Sequence, residues 1–237
     1  MTLTRAAAAV VGIALLILAL AGPAYRAGLA LQTALAMLRW AGYIGAAGVV
    51  LAIAVGALAY RRRQRLPFGL AIGIGVAGLV AVGVPWLWQR RAERLPPIHD
   101  ISTDLENPPA FEAIVPLRGD GASPLDRPPM LAAQQRDGYP DIAPRTLALP
   151  VDRAFNRALD LAERQGWTVV ASNPERGIIE ATDTTFWFGF TEDVVVRVMP
   201  WGSGTRVDMR SVSRVGRSDA GSNARRIRDF LDELEEE

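Results

Sequence analysis

"DVVVRVMPWGSGTRVDMRSVS", residues 193–213, reads as one antiparallel hairpin. Gly202 followed by Ser203 suits a two-residue turn with positive φ at its first position, which closes right-twisted strands. The turn sets the register. Val198 then faces Val207, Val196 faces Met209 and Val194 faces Ser211 on one side, while Arg197 faces Asp208 and Val195 faces Arg210 on the other. One face is apolar and the other carries an ion pair, the pattern of an antiparallel sheet covered on one side only.

Outward from the hairpin, residues 167–172 and 178–187 have strand-like composition, separated by the turn signal "NPERG". A helix is expected over residues 152–165, with Phe155, Ala158, Leu159 and Ala162 on one face and Gly166 ending it. A final helix over 219–235 buries Ile227, Phe230, Leu231 and Leu234. Residues 151–237 thus form an α+β domain, a four-stranded antiparallel meander flanked by two helices. Residues 91–150 are rich in proline, which donates no hydrogen bond and fixes its own torsion, so they read as an extension arm. Within it "LRGDGASPLDRPPM" has the composition of a mobile loop, whereas the apolar residues of "IHDISTD" and "NPPAFEAIV" are expected to run extended against the domain.

Residues 1–90 are of another kind. Three apolar windows, 6–22, 40–60 and 68–88, precede the arm. A helix needs roughly 20 apolar residues to cross a hydrocarbon core of about 30 Å, which the second and third windows supply. Their many Gly and Ala residues favour close packing as a helical hairpin, and Trp40, Tyr43, Tyr60, Trp86 and Trp88 lie at the window ends, where an amphipathic ring can sit at headgroup level. The first window also resembles a cleavable export signal ending at "GPA", residues 22–24; an uncleaved span is the preferred reading. Tyr25 to Arg39, too short to cross, is expected to lie at the interface or to form a short connecting helix. The cluster Arg61, Arg62, Arg63 and Arg65 marks a cytoplasmic loop, which places everything after the third span outside the cytoplasm; Arg90, Arg91 and Arg94 pull the other way.

The chain has 26 basic and 25 acidic residues, so it presents no polyanion-binding field and nucleic acid is not an expected partner. Every basic residue is arginine, a bias that reads as coding background rather than selection for guanidinium chemistry. With no cysteine, disulfides, thiolate nucleophiles and zinc–thiolate sites are excluded.

The runs "IHDISTDLENPPAF", "DRAFNRALDLAERQGWTVV", "IIEATDTTFWFGFTEDVVVRV" and "RVDMRSVSRVGRSDAGSNARRIRDFL", with the "YP" at Tyr139 and Pro140, together resemble the bacterial family called domain of unknown function 1499, over roughly residues 97–233. The resemblance implies a membrane-anchored or exported protein. It assigns no activity and no catalytic residues.

Three constellations are candidates for chemistry. His99, the single histidine, lies beside Asp100 and near Asp104, a nitrogen and two carboxylates that suggest a divalent metal or an acid–base site. The preferred reading is that Asp100 or Ser102 makes turn-type hydrogen bonds to backbone and that His99 packs against an aromatic as a satisfied polar residue, with no metal and no cofactor. "SVSRVGRSDAGSN", residues 211–223, runs into a helix N-terminus where free N–H groups favour an anion, with Arg214, Arg217, Ser218, Asn223 and Arg226 as ligands. Against it stands a cap by Ser218 or Asp219, with Arg226 paired to Asp183 or Asp208. "FWFGF", residues 186–190, is either buried under the arm or a helix, or an exposed aromatic ridge near the bilayer. The sequence therefore points to a multi-pass inner-membrane protein of the bacterial envelope. Its extracytoplasmic domain is a binding or structural module, with the lipid bilayer, envelope proteins or an anionic small molecule as partners. The alternative is an envelope hydrolase or lyase using His99; no Ser-His-Asp spacing, H-E-x-x-H or P-loop supports it.

Overall fold

The computed structural model describes residues 2–236. Two compact units make up the chain: Met1–Arg91 together with Trp187–Gly189, and Ala92–Phe186 together with Phe190–Glu237.

In the first unit, α1 (Thr2–Arg26), α2 (Leu31–Arg61) and α3 (Arg65–Arg94) are each long and apolar enough to cross a membrane. The expected close packing of α2 and α3 is present. A Cβ at Gly45 would fall 3.2 Å from the Gly78 carbonyl oxygen, and one at Gly78 would fall 3.2 Å from that of Gly45. Val11 of α1 fills the space beside Gly48 and Gly78. Leu16, Val50, Ile53, Ile72, Val76 and Leu79 remain exposed, an apolar surface that a lipid environment would cover. Of residues 25–39, expected at the interface or as a short connecting helix, Tyr25 and Arg26 end α1 and 31–39 are helical but continuous with α2. Leu31, Ala34, Leu35 and Leu38 extend its apolar surface with helical spacing and no proline interrupts the run.

The second unit is α+β. Its sheet has six strands rather than four: β1 (Asp100–Ser102), β2 (Arg145–Leu147), β3 (Thr168–Asn173), β4 (Ile178–Thr184), β5 (Thr191–Trp201) and β6 (Gly204–Ser213). The order is β1-β6-β5-β4-β3, with β2 also paired to β6, and all the pairings are antiparallel. The hairpin register agrees pair by pair with that set by the turn: Val198 faces Val207, Arg197 faces Asp208 and Val194 faces Ser211, with Gly202 at φ 56°. β1 and β2 come from the arm. Their pairing with β6 covers an edge that would otherwise expose a row of unpaired N–H and C=O groups.

Helices α5 (Val151–Arg164) and α6 (Ser222–Glu236) pack on the face that carries Val194, Val196, Val198, Val207 and Met209. Trp167 stacks on Phe230 with ring centroids 4.9 Å apart. α6 begins at Ser222 rather than Asp219, because Ala220 and Gly221 both take positive φ, 49° and 79°, and turn the chain before the helix. β4 ends at Thr184, short of the expected 187.

The opposite face corrects the expectation of a sheet covered on one side. Val195, Asp193 and Asp208 are fully buried and Arg210 nearly so. The arm lies over them. Phe111 and Ile114 form a second, smaller core with Val195 and Val212, to which Leu125, Val170 and Ile178 are packed. Helix α4 (Pro129–Gly138) contributes Gln135, whose side-chain amide bonds both the N–H and the C=O of Ser102, at 3.0 and 2.6 Å, as a neighbouring strand would. The unit is thus three layers, helices, sheet and arm, and residues 92–150 belong to its fold.

Candidate functional site

The chemistry of the second unit is concentrated on the arm-covered face. β5 and β6 alternate, so Asp193, Val195 and Arg197 point the same way as Asp208, Arg210 and Val212. Asp100 of β1, opposite Val212, joins them. Three buried aspartates on this face are each held between two arginines. Asp100 pairs with Arg127 and with Arg210, whose Nε and Nη2 lie 3.0 and 2.8 Å from its oxygens. Asp193 pairs with Arg118 and with Arg214, at 2.8 Å. Asp208 lies 2.9 Å from both Arg197 and Arg206, and Asp104 closes a ring of alternating charge by pairing with the same two arginines at 3.2 and 2.8 Å.

Two arginines per aspartate leave surplus N–H donors, and the arm absorbs most of them, Arg127 Nε being buried without a partner. Arg210 donates to the carbonyls of Pro109 and Leu125, Arg214 to that of Leu117, Arg118 to that of Ser123, and Arg127 to the Gln135 side chain. A proline-rich, irregular segment suits this role because its carbonyls are not consumed by helix or ladder bonds. Glu180 makes the complementary contact, its carboxylate accepting the N–H groups of Glu112, Ala113 and Ile114 at 2.9–3.0 Å. Burial pushes the Arg118 and Arg127 guanidinium pKa values down, against the pull of Asp193 and Asp100 respectively. These forked contacts use the planar geometry of guanidinium, which an ammonium lacks. The arginine bias ascribed to coding background therefore has a structural use on this face.

His99 lies between Ile98 of the helix-side core and Asp100, and its carbonyl accepts Ser213 N–H and the Asn223 amide. Its Nε2 is buried without a hydrogen-bond partner, so His99 is packed but is not the satisfied polar residue expected of it. Asp100 is committed to Arg127 and Arg210. Asp104 is committed to Arg197 and Arg206, and its other oxygen accepts the N–H groups of Glu106 and Asn107. Of the two residues expected to make turn-type bonds, Ser102 does so, its hydroxyl donating to the Asp104 carbonyl at 2.9 Å, whereas the Asp100 carboxylate is held by arginines. The three are not gathered around one point, and among the described residues no group of three or more His, Cys, Asp or Glu could hold a metal ion.

The residues named for an anion are also dispersed in role. Arg214 is taken by Asp193 on the arm side. Arg226, on the helix side, pairs with Asp183 at 2.6 Å and with Glu192, and donates to Ser211 and Asn223. Asn223 is fully buried and bonds Ser211, Ser213, Arg226 and the His99 carbonyl. Ser218 accepts from Ala220 N–H, and Arg217 is exposed. Asp219 occupies the place an anion would take, its two oxygens each accepting one N–H, from Gly221 and Asn223, at 2.8 Å. The capping alternative, with Arg226 on Asp183, matches this geometry. Two of the three arginines are saturated by carboxylates and do not open into a common hollow.

A hollow lined by Val151, Asp152, Phe155, Asn156 and Pro174 carries a single ionisable group. The sequence reading missed Asp193, Glu180, Glu192, Arg118 and Arg127. Val195 and Val212 were the available signal, because two valines on a charged face indicate that something covers it. Residues 100–234 match a family model described as protein of unknown function, DUF1499, and no curated protein matches the chain.

Proposed function

From a chain that belongs to the DUF1499 family, we propose a membrane-anchored binding or structural module of the bacterial cell envelope, with the unit after the third helix on the extracytoplasmic side. Three apolar helices long enough to cross a bilayer support the anchor. The observation that carries the structural reading is the pairing on the arm-covered face. Asp100, Asp193 and Asp208 are each held by two arginines and Glu180 by three backbone N–H groups, so these carboxylates serve cohesion rather than proton transfer. The envelope hydrolase or lyase reading needs His99 beside a free carboxylate, and its two neighbours are both committed to arginines. An anionic small-molecule partner is left with Arg217 alone among the three arginines, since Arg214 and Arg226 are saturated.

Thermal unfolding of the full-length protein in detergent, with divalent cations or with inorganic phosphate, tests this. The expected result is no stabilisation by either. Stabilisation by a metal that disappears in His99→Ala would favour the enzyme, and stabilisation by phosphate that disappears in Arg217→Ala would restore the anion site.

A further inference from the structure

We propose that Trp187 closes a break made by Pro23 in α1, and that Trp187–Gly189 thereby form a working part of the helical unit. The inference rests on the reading that this unit lies in lipid. Proline has no N–H, so Pro23 deprives the carbonyl of Ala19, four residues earlier, of its helical donor. The Trp187 indole supplies one, with Nε1 3.3 Å from the Ala19 oxygen. In an apolar environment no water replaces such a donor, and an unsatisfied carbonyl there is costly.

The surrounding residues fit this contact closely. A Cβ at Gly22, between the two partners, would lie 2.5 Å from the Trp187 carbonyl oxygen and 2.6 Å from the indole Cδ1, so only glycine leaves room. Trp88 meets Trp187 edge-on, centroids 6.0 Å apart, and Phe188 is buried against Tyr25 and Trp88 at 6.0 and 6.5 Å. Gly189 holds φ +70°, and a Cβ there would stand 3.0 Å from Arg26 Cγ. Three consecutive residues of the β4–β5 connection therefore meet α1 or α3, with glycines on both sides of the contact. The fit accounts for Trp187 and Phe188 of "FWFGF", whereas Phe186 is exposed, and displacement of the indole exposes the Pro23 break.

A double-mutant cycle on the full-length protein in detergent tests the latch, with wild type, Trp187→Phe, Pro23→Ala and the double variant compared by thermal unfolding. Trp187→Phe keeps an aromatic ring and removes the N–H, and Pro23→Ala gives Ala19 its own helical donor. The latch predicts that Trp187→Phe lowers the midpoint by about 2 °C or more in the wild-type background, and by less than half as much beside Pro23→Ala. Equal shifts in both backgrounds, or no shift in either, would overturn it. The same four proteins are followed into carbonate-washed membranes. Their absence from the pellet would instead overturn the membrane reading on which the latch rests.

Discussion

Asp219 shows how a single residue sets a pH dependence. Burial raises its carboxyl pKa above the usual 3.8, the N–H groups of Asn223 and Gly221 oppose the shift, and Glu192 adds to it. A raised acid pKa means that the folded chain binds this proton more readily than the unfolded chain, so the ionised form opposes folding at neutral pH. Stability attributable to Asp219 therefore rises as pH falls through its folded pKa toward 3.8, and is lost again as pH is raised. Relative to Asp219→Asn, the wild type should gain stability across that window in denaturant titrations; a pH-independent difference would contradict the assignment. Asp100 makes a larger demand. Asp100→Ala leaves Arg127 and Arg210 buried without their carboxylate and should cost about 3–5 kcal/mol, the usual penalty for breaking a buried pair. Arg210→Lys should recover only part of the native stability, because an ammonium cannot hold Asp100, Pro109 and Leu125 in one plane. Chemical denaturation of the two variants gives both values. The cap by Asp219 was legible in the sequence, whereas the partners of Asp100 were not, since Asp100 and Arg210 are 110 positions apart.

Elements divide by whether local or distant chemistry decides them. The β5–β6 hairpin was legible to the residue because a two-residue turn fixes every later pair. α5 and α6 were legible from their apolar stripes, although the strained turn at Ala220 delayed the start of α6. β1 and β2 were not, because three residues are too few to show a period, and their conformation comes from pairing with β6. The end of β4 was misplaced for a related reason: Trp187–Gly189 leave the sheet to pack in the helical unit. The arm reads as an extension that runs against the domain, and its carbonyls and N–H groups are what make a charged sheet face buriable. Glu180→Ala removes the acceptor for three arm amides. Hydrogen exchange at Glu112, Ala113 and Ile114 should then accelerate well before that of α5; unchanged protection would show that Phe111 and Ile114 hold the arm without Glu180.

At the scale of the whole molecule, composition alone separated an apolar third from a polar remainder, and three helices of membrane-spanning length occupy that third. Side assignment rests on the arginines at Arg61, Arg62, Arg63 and Arg65, opposed by Arg90, Arg91 and Arg94. The absence of cysteine allows a direct test, since any introduced thiol is the only one in the chain. Arg217 and Arg62 are both exposed, in the second unit and in the α2–α3 loop respectively. Arg217→Cys and Arg62→Cys are each treated with a membrane-impermeant thiol reagent in intact spheroplasts and again after lysis. A membrane-anchored module facing outward predicts labelling of Arg217→Cys before lysis and of Arg62→Cys only afterwards; the reverse pattern, or labelling of both before lysis, would contradict it.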